Sequence, residues 1–264
     1  MRHERITVLV SLVILIALGP VEGKSKSEGK AGNKTLPVKG YELVWSDEFE
    51  SDELDFKKWD YRGLGPRRDA VNVKDTISLD GKGHLVLTTK RVGDKYHSAM
   101  ISTQDKYETA FGYFECRVKL QTQIGHWSAF WLMGDGVKPG NSGREGTEVD
   151  IMEKPWLDDR VQNTLHWGGY GKEHKSAGNV AKVPGVMDGF HTFSLLWTSE
   201  EYVFYTDGKE TWRSKAGGVC QAPLFIKLSD EAQMKGWAGD LLKASLPDQF
   251  LVDYVRVYDL VDQK

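Results

Sequence analysis

Three carboxylates fall within six residues, Glu148-Val149-Asp150-Ile151-Met152-Glu153, separated by apolar side chains. Val149 and Ile151 favour a β-strand, in which successive side chains point to opposite faces. Glu148 and Asp150 then share one face, and Val149 and Ile151 the other. Strict alternation would send Glu153 to the apolar side, where an unpaired carboxylate is costly. One extra residue at Ile151 or Met152, a β-bulge, returns Glu153 to the face of Glu148 and Asp150, and bulges often sit beside active sites. Three acids on one sheet face suit glycoside cleavage: a nucleophile, a proton donor and a third group that tunes both. Acids on a strand more commonly just face water. Here, however, Gly143 and Gly146 flank the start, Lys154-Pro155-Trp156 ends the stretch, and tryptophan-rich runs lie close by.

The elements that must position these acids read as strands. Short β-type runs recur between Gly, Asp, Asn and Pro: His84–Lys90, Gly112–Leu120, Trp127–Met133, Glu148–Lys154, Val161–Trp167, His191–Trp197, Tyr202–Thr206, Leu224–Leu228 and Phe250–Val257. Asp80-Gly81 and Asp207-Gly208 are hairpin signals. No helical periodicity or fixed repeat is visible. The pattern predicts an all-β fold, an antiparallel two-sheet β-sandwich. Trp127 and Trp131 are four apart on a strand and share a face. Trp45, Trp59 and Trp197 read as packing residues. Cys116 alternates with Phe114 and Val118 on an apolar face, so Cys116 and Cys220 are expected to be unbonded, although secretion would permit a disulfide.

The 264 residues, 40% hydrophobic and 28% charged with net charge −3, fit one globular domain and give no reason to expect a nucleic-acid partner. Arg2 and Arg5 precede an apolar run from Ile6 to Leu18, and Val21-Glu22-Gly23 offers a cleavage site. Residues 1–23 therefore read as a secretory signal peptide, too short in its apolar run for a membrane span. Residues 24–36 read as a flexible spacer and 37–264 as the catalytic domain, secreted and without a membrane anchor after cleavage. Asn33-Lys34-Thr35 is a glycosylation sequon.

The acidic stretch resembles the active-site signature of glycoside hydrolase family 16 in its longer, bulged E-x-D-x-x-E form. Similarity continues through Trp45-Ser46-Asp47-Glu48-Phe49, Phe111-Gly112-Tyr113-Phe114-Glu115, Trp127 to Gly134, Thr164-Leu165-His166-Trp167 and Val252-Asp253-Tyr254-Val255-Arg256-Val257-Tyr258. The resemblance implies a jelly roll with a concave substrate cleft and a retaining mechanism. Glu148 would be the nucleophile, Glu153 the general acid/base, and Asp150 a helper able to hydrogen-bond Glu148. It also implies that Trp127, Trp131 and Trp237 stack on sugar, that Glu115 bonds sugar hydroxyls, and that His166 lies near the acid/base, as in the laminarin-cleaving branch. No cofactor is implied for catalysis. Many members hold a structural calcium on the convex side; here Asp253, the neighbourhood of Glu48, and Gly81 would supply it. The expected partner is a polysaccharide, and the protein is expected to be a monomer.

Two segments depart from the common laminarinase pattern. Gly125-His126-Trp127-Ser128 stands where Gly-Leu-Trp-Pro is usual, and Lys227-Leu228-Ser229-Asp230-Glu231 where Asn-Leu-Ala-Val-Gly-Gly is common. Lys172, His174 and Lys175 form a basic loop after the His166 strand, either solvated or rimming the cleft. The expected activity is endo-hydrolysis of β-1,3-glucan. Alternatives are mixed-linkage β-glucan or a marine galactan as substrate, a transglycosylase, and a non-catalytic glucan-binding protein.

Overall fold

Apolar and polar side chains alternate along most of the chain's extended segments, and two sheets bury the apolar faces against each other. The computed structural model describes residues 36–261. The signal-peptide reading, the sequon and all but the last residue of the spacer lie outside the described residues. Thirteen strands carry the architecture: β1 (Tyr41–Asp47), β2 (Leu85–Val92), β3 (Lys95–Ser102), β4 (Gly112–Lys119), β5 (His126–Met133), β6 (Glu148–Lys154), β7 (Arg160–Trp167), β8 (Lys175–Lys182), β9 (Phe190–Trp197), β10 (Tyr202–Thr206), β11 (Lys209–Ser214), β12 (Leu224–Ala232) and β13 (Asp248–Leu260).

One sheet runs β8–β7–β6–β5–β12–β3, antiparallel throughout. It carries the acidic strand and is called the cleft sheet. The back sheet runs β11–β10–β9–β4–β13, and β1 and β2 share the far edge of the long β13. The β2–β3 hairpin joins the two layers. The fold is thus the all-β antiparallel sandwich expected from the sequence. Asp207 and Gly208 take φ of 50° and 74° between β10 and β11, the paired positive values that a two-residue hairpin turn needs.

Between the layers, Phe114, Cys116 and Val118 of β4 meet Phe130 and Leu132 of β5 and Val149, Ile151 and Met152 of β6. Each such side chain contributes about 1.5–3 kcal/mol by leaving water. Cys116 and Cys220 are buried and free. Trp59 and Trp197 are fully buried, and Trp45 packs against this core, stacked on Tyr107 at 4.8 Å.

Strands β1, β3, β8 and β11 lie outside the runs named from the sequence, β13 extends beyond Phe250–Val257 at both ends, and two departures bear on the site. β12 was expected to end at Leu228 but continues to Ala232, because β5 and β3 bond it on both sides and its later polar residues find partners. Lys175 opens β8 and does not belong to a loop. In addition, a short hairpin, Gly65–Arg67 with Ala70–Asn72, adds in parallel to β3 and carries Arg67 and Arg68 to the cleft sheet.

Candidate active site

The bulge expected from the acidic motif is present. Phe130 faces Met152 and Trp131 faces Asp150, so Ile151 has no opposite number on β5. On β7, register passes from Asp150↔Thr164 to Glu153↔Gln162 across the same break. Val149, Ile151 and Met152 all enter the core, whereas Glu148, Asp150 and Glu153 line one cavity of about 310 Å³. A bulge frees backbone groups, and here the Asn163 side-chain amide donates to Ile151 O at 2.7 Å. Sequence reasoning missed Asn163, because an asparagine on the apolar face of a strand gives no signal until its strand register is known.

Each acid has its own environment. Glu153 accepts from Trp127 Nε1 at 3.2 Å. Burial, helped by the charges of Asp150, Glu148 and Glu231, pushes its carboxyl well above the usual glutamate range, against a smaller opposing pull from His166. Burial also pushes Asp150 well above the usual aspartate range, with Glu148 and Glu231 adding to the effect and Lys227 opposing it. Asp150 Oδ2 lies 3.3 Å from His166 Nε2. Tyr170 donates to Glu148 Oε2. The expected Asp150–Glu148 bond is therefore replaced by two others: Asp150 pairs with His166 and Glu148 with Tyr170.

Around the acids the cavity is more charged than expected. Lys227, Ser229 and Glu231 alternate along the cleft face of β12. Glu231 takes Arg67 at 2.6 Å and also Arg68, which hold its carboxyl below the usual range against the opposing effect of burial. Lys227 Nζ sits 3.5 Å over the Trp131 ring, and burial pulls its ammonium down to about 7. The Arg68 guanidinium lies 5.0 Å over Trp127. Trp127 and Trp131 face the cleft but are only 2% and 5% exposed. The expectation of two open stacking platforms is corrected: cations cover these indoles, which donate through Nε1 to Glu153 and to Ser229. The open indole is Trp237, 39% exposed, which meets Trp127 and Trp156 edge-on at 5.5 and 5.8 Å.

Comparison with known proteins agrees with this geometry. The model of "Glycosyl hydrolases family 16" matches residues 66–256. The chain belongs to glycosyl hydrolase family 16. Two curated relatives are similar. One is a keratan-sulfate endo-1,4-β-galactosidase of Sphingobacterium multivorum, 28% identical over 91% of this chain and 61% of its own length. The other is a β-glucanase of Rhodothermus marinus, 29% identical over 84% of this chain and 86% of its own. The chain thus spans less than two thirds of the first relative. A laminarinase from Flavobacterium sp. UMI-01 superimposes with TM-score 0.70 at 26% identity, covering 83% of this chain and all of that one (100%).

As a member of this family, the chain departs from what the resemblance implied at two further places. Glu115 does not reach the cleft. It lies on β4 in the back sheet, where alternation buries Cys116 between the layers and turns Glu115 outward, to accept from Tyr254 at 2.8 Å and Ser194 at 3.2 Å. Among the candidate calcium residues the carboxylate side chains are already paired, whereas the resemblance asks only for backbone oxygens near Glu48 and at Gly81. Asp253 Oδ2 lies 2.5 Å from Arg117 Nη1, Arg256 grips both Glu48 oxygens at 2.9 Å, and Gly81 lies on an exposed turn. A guanidinium already occupies the place of the positive charge at each carboxylate. In the cleft, Glu148, Asp150 and His166 present ligand atoms within 4.8 Å of one another. His166 is already committed to Asp150 and Tyr170 to Glu148, so these donors serve each other. His174 of the basic segment joins this network, with its Nε2 2.9 Å from His166 Nδ1.

Proposed function

We propose that this chain is a retaining, endo-acting β-glycan hydrolase in which Glu148 attacks the anomeric carbon and Glu153 protonates the leaving oxygen. The observation that carries this is the bulge at Ile151, which sets three acids on one face of a single strand. Raised protonation at Glu153 supports its role as the acid, and it would then act as base toward water in the second step. Asp150, tied to His166, sets the charge felt by both.

β-1,3-Glucan is the substrate we propose first. The similar laminarinase structure and His166 beside Asp150 support it. One observation favours a second reading, a galactan: the charged β12 wall and the covered indoles leave fewer flat apolar surfaces than a glucan cleft would offer, and one relative acts on keratan sulfate. Export through the N-terminal segment is part of the same proposal. Among the described residues no helix is long and apolar enough to cross a membrane. Purified protein would be incubated with laminarin, lichenan, agarose, porphyran and keratan sulfate, and the products sized. A ladder of oligosaccharides from laminarin is expected. A ladder from a galactan alone would move the substrate to the second reading, and no product from any of them would remove the hydrolase reading.

A further inference from the structure

Glu148 is held by a side chain from outside its own sheet neighbours. Tyr170 lies in the connection from β7 to β8, and its hydroxyl donates to Glu148 Oε2 while lying 3.3 Å from Met133 Sδ. The connection is pinned at two more points. His174 stacks on His166 with ring centroids 5.0 Å apart, and Gly140 N donates to Glu173 Oε2 at 2.7 Å. Gly168 and Gly169 make the return at φ of 76° and 74°, where a Cβ would meet Glu173 O at 2.5 Å and Pro139 at 2.8 Å. Glycine alone suits both positions. Among the described residues, Glu148 Oε1 accepts no hydrogen bond.

A carboxylate nucleophile must be ionised, fixed in orientation, and open at one oxygen. A neutral donor on the other oxygen meets the first two needs without cancelling the charge, as a cation would. Tyr170 is such a donor: burial and the negative charge of Glu148 keep its hydroxyl protonated far above the ordinary tyrosine range. We propose that Tyr170 is a positioning residue for the reaction, fixing Glu148 Oε2 so that Oε1 faces the anomeric carbon. The proposal rests on Glu148 being the nucleophile. In the step it serves, the bond from Oε1 to the anomeric carbon forms as the glycosidic C–O bond breaks, and the leaving oxygen takes its proton from Glu153. Tyr170 keeps its own proton throughout.

Removing the donor should make Glu148 easier to protonate. The other charged or titratable groups around it are Asp150 and Glu153 on β6, His166 on β7, His174 in the β7–β8 connection, Lys227 and Glu231 on β12, and Arg67 and Arg68 of the short hairpin. All of them remain in Tyr170→Phe. Tyr170 is 57% exposed, with its hydroxyl end turned in against Glu148 and Met133, so the variant should fold with an unchanged melting temperature. The acid limb of kcat/KM should move up by about one pH unit, the scale of a lost hydrogen bond to a charged group. The rate at the optimum should fall roughly tenfold through lost orientation. Carbon NMR titration of the glutamate carboxyls, which needs no substrate, should show the same upward movement. An unmoved limb together with an unmoved carboxyl titration would overturn the proposal, as would a rate loss matched by a loss of melting temperature. If the wild type cleaves none of the glycans, the NMR comparison still tests the Tyr170 bond, so failure of the hydrolase reading stays separate from failure of this one.

Discussion

At the scale of single residues, the account turns on which carboxyl holds a proton. Glu148→Gln removes the proposed nucleophile and nearly preserves shape, so turnover should fall at least about a thousandfold with melting unchanged. Near-wild-type hydrolysis by this variant would remove Glu148 from its role. Glu153 is raised above the ordinary glutamate value, mainly by burial. A carboxyl raised in the folded state favours folding below its unfolded value, and that contribution is lost as pH rises through the folded value. Glu153→Gln, which cannot ionise, should therefore melt higher than wild type at pH 7, by roughly 2–4 °C if about 1 kcal/mol is recovered. The gap should close near pH 4, and equal melting at both pH values would show that burial does not penalise ionised Glu153. The acids themselves were legible because their spacing breaks strand alternation in a way only a bulge repairs. Tyr170 was not, since a loop tyrosine carries no periodic signal and its partner lies 22 residues away in sequence. Glu115 was misplaced because alternation shows that it opposes Cys116 but not which sheet its strand joins.

At the scale of elements, the bulge in β6 and its support from β7 decide whether the acids converge. Asn163 is 2% exposed and fills the hydrogen-bonding need of Ile151 O. Asn163→Ala would leave that carbonyl buried without a partner, which costs about 1–3 kcal/mol. We expect a lower melting temperature, and a drop in kcat larger than the change in KM, because Glu153 follows the bulge. Calorimetry and steady-state kinetics would check both, and an unchanged kcat would mean that the bulge holds its shape without the amide. Strand positions were readable to within a few residues wherever apolar and polar side chains alternate. Readability failed at the end of β12, where Asp230 and Glu231 give no strand signal until their partners on neighbouring elements are known. It failed again at β8, an edge strand of small and polar residues whose pairing to β7 is all that makes it a strand.

At the scale of the whole molecule, the two departures from the laminarinase pattern prove to be one feature. His126 is fully buried, with Nδ1 2.9 Å from Asp230 Oδ1 and Nε2 3.2 Å from Asp248 Oδ2. Asp230 also accepts from Thr89 at 2.8 Å. Cleft-sheet β5 and β12 are thus tied to back-sheet β13 by charge and to β2 by the Thr89 hydroxyl. Despite an opposing effect of burial, the two aspartates push His126 up to about 9, and the nearby His126 together with hydrogen bonds from backbone amides pulls Asp248 down to about 2. The His126 contribution is fully present below the ordinary histidine value of about 6.5 and is lost as pH rises through about 9. The Asp248 contribution is present above the ordinary aspartate value of about 3.9 and is lost as pH falls through about 2. Melting temperature should therefore fall between pH 6.5 and pH 9 from this site, with other groups adding their own slopes. His126→Leu restores the common residue but leaves two inward carboxylates without the cation between them, only their hydroxyl and amide donors remaining. It should destabilise by about 3–5 kcal/mol at neutral pH, a loss that thermal unfolding would register. The central claim, that the face-matched acids cleave a glycan through a covalent glycosyl-enzyme, is tested most directly by trapping that intermediate. A 2-deoxy-2-fluoro glycosyl fluoride, built on whichever oligosaccharide the substrate panel yields, would be incubated with the enzyme, and the digested protein mapped by mass spectrometry. The account predicts one added glycosyl mass on Glu148. Label on Asp150 or Glu153, or complete absence of label in an enzyme that hydrolyses the parent glycan, would contradict it.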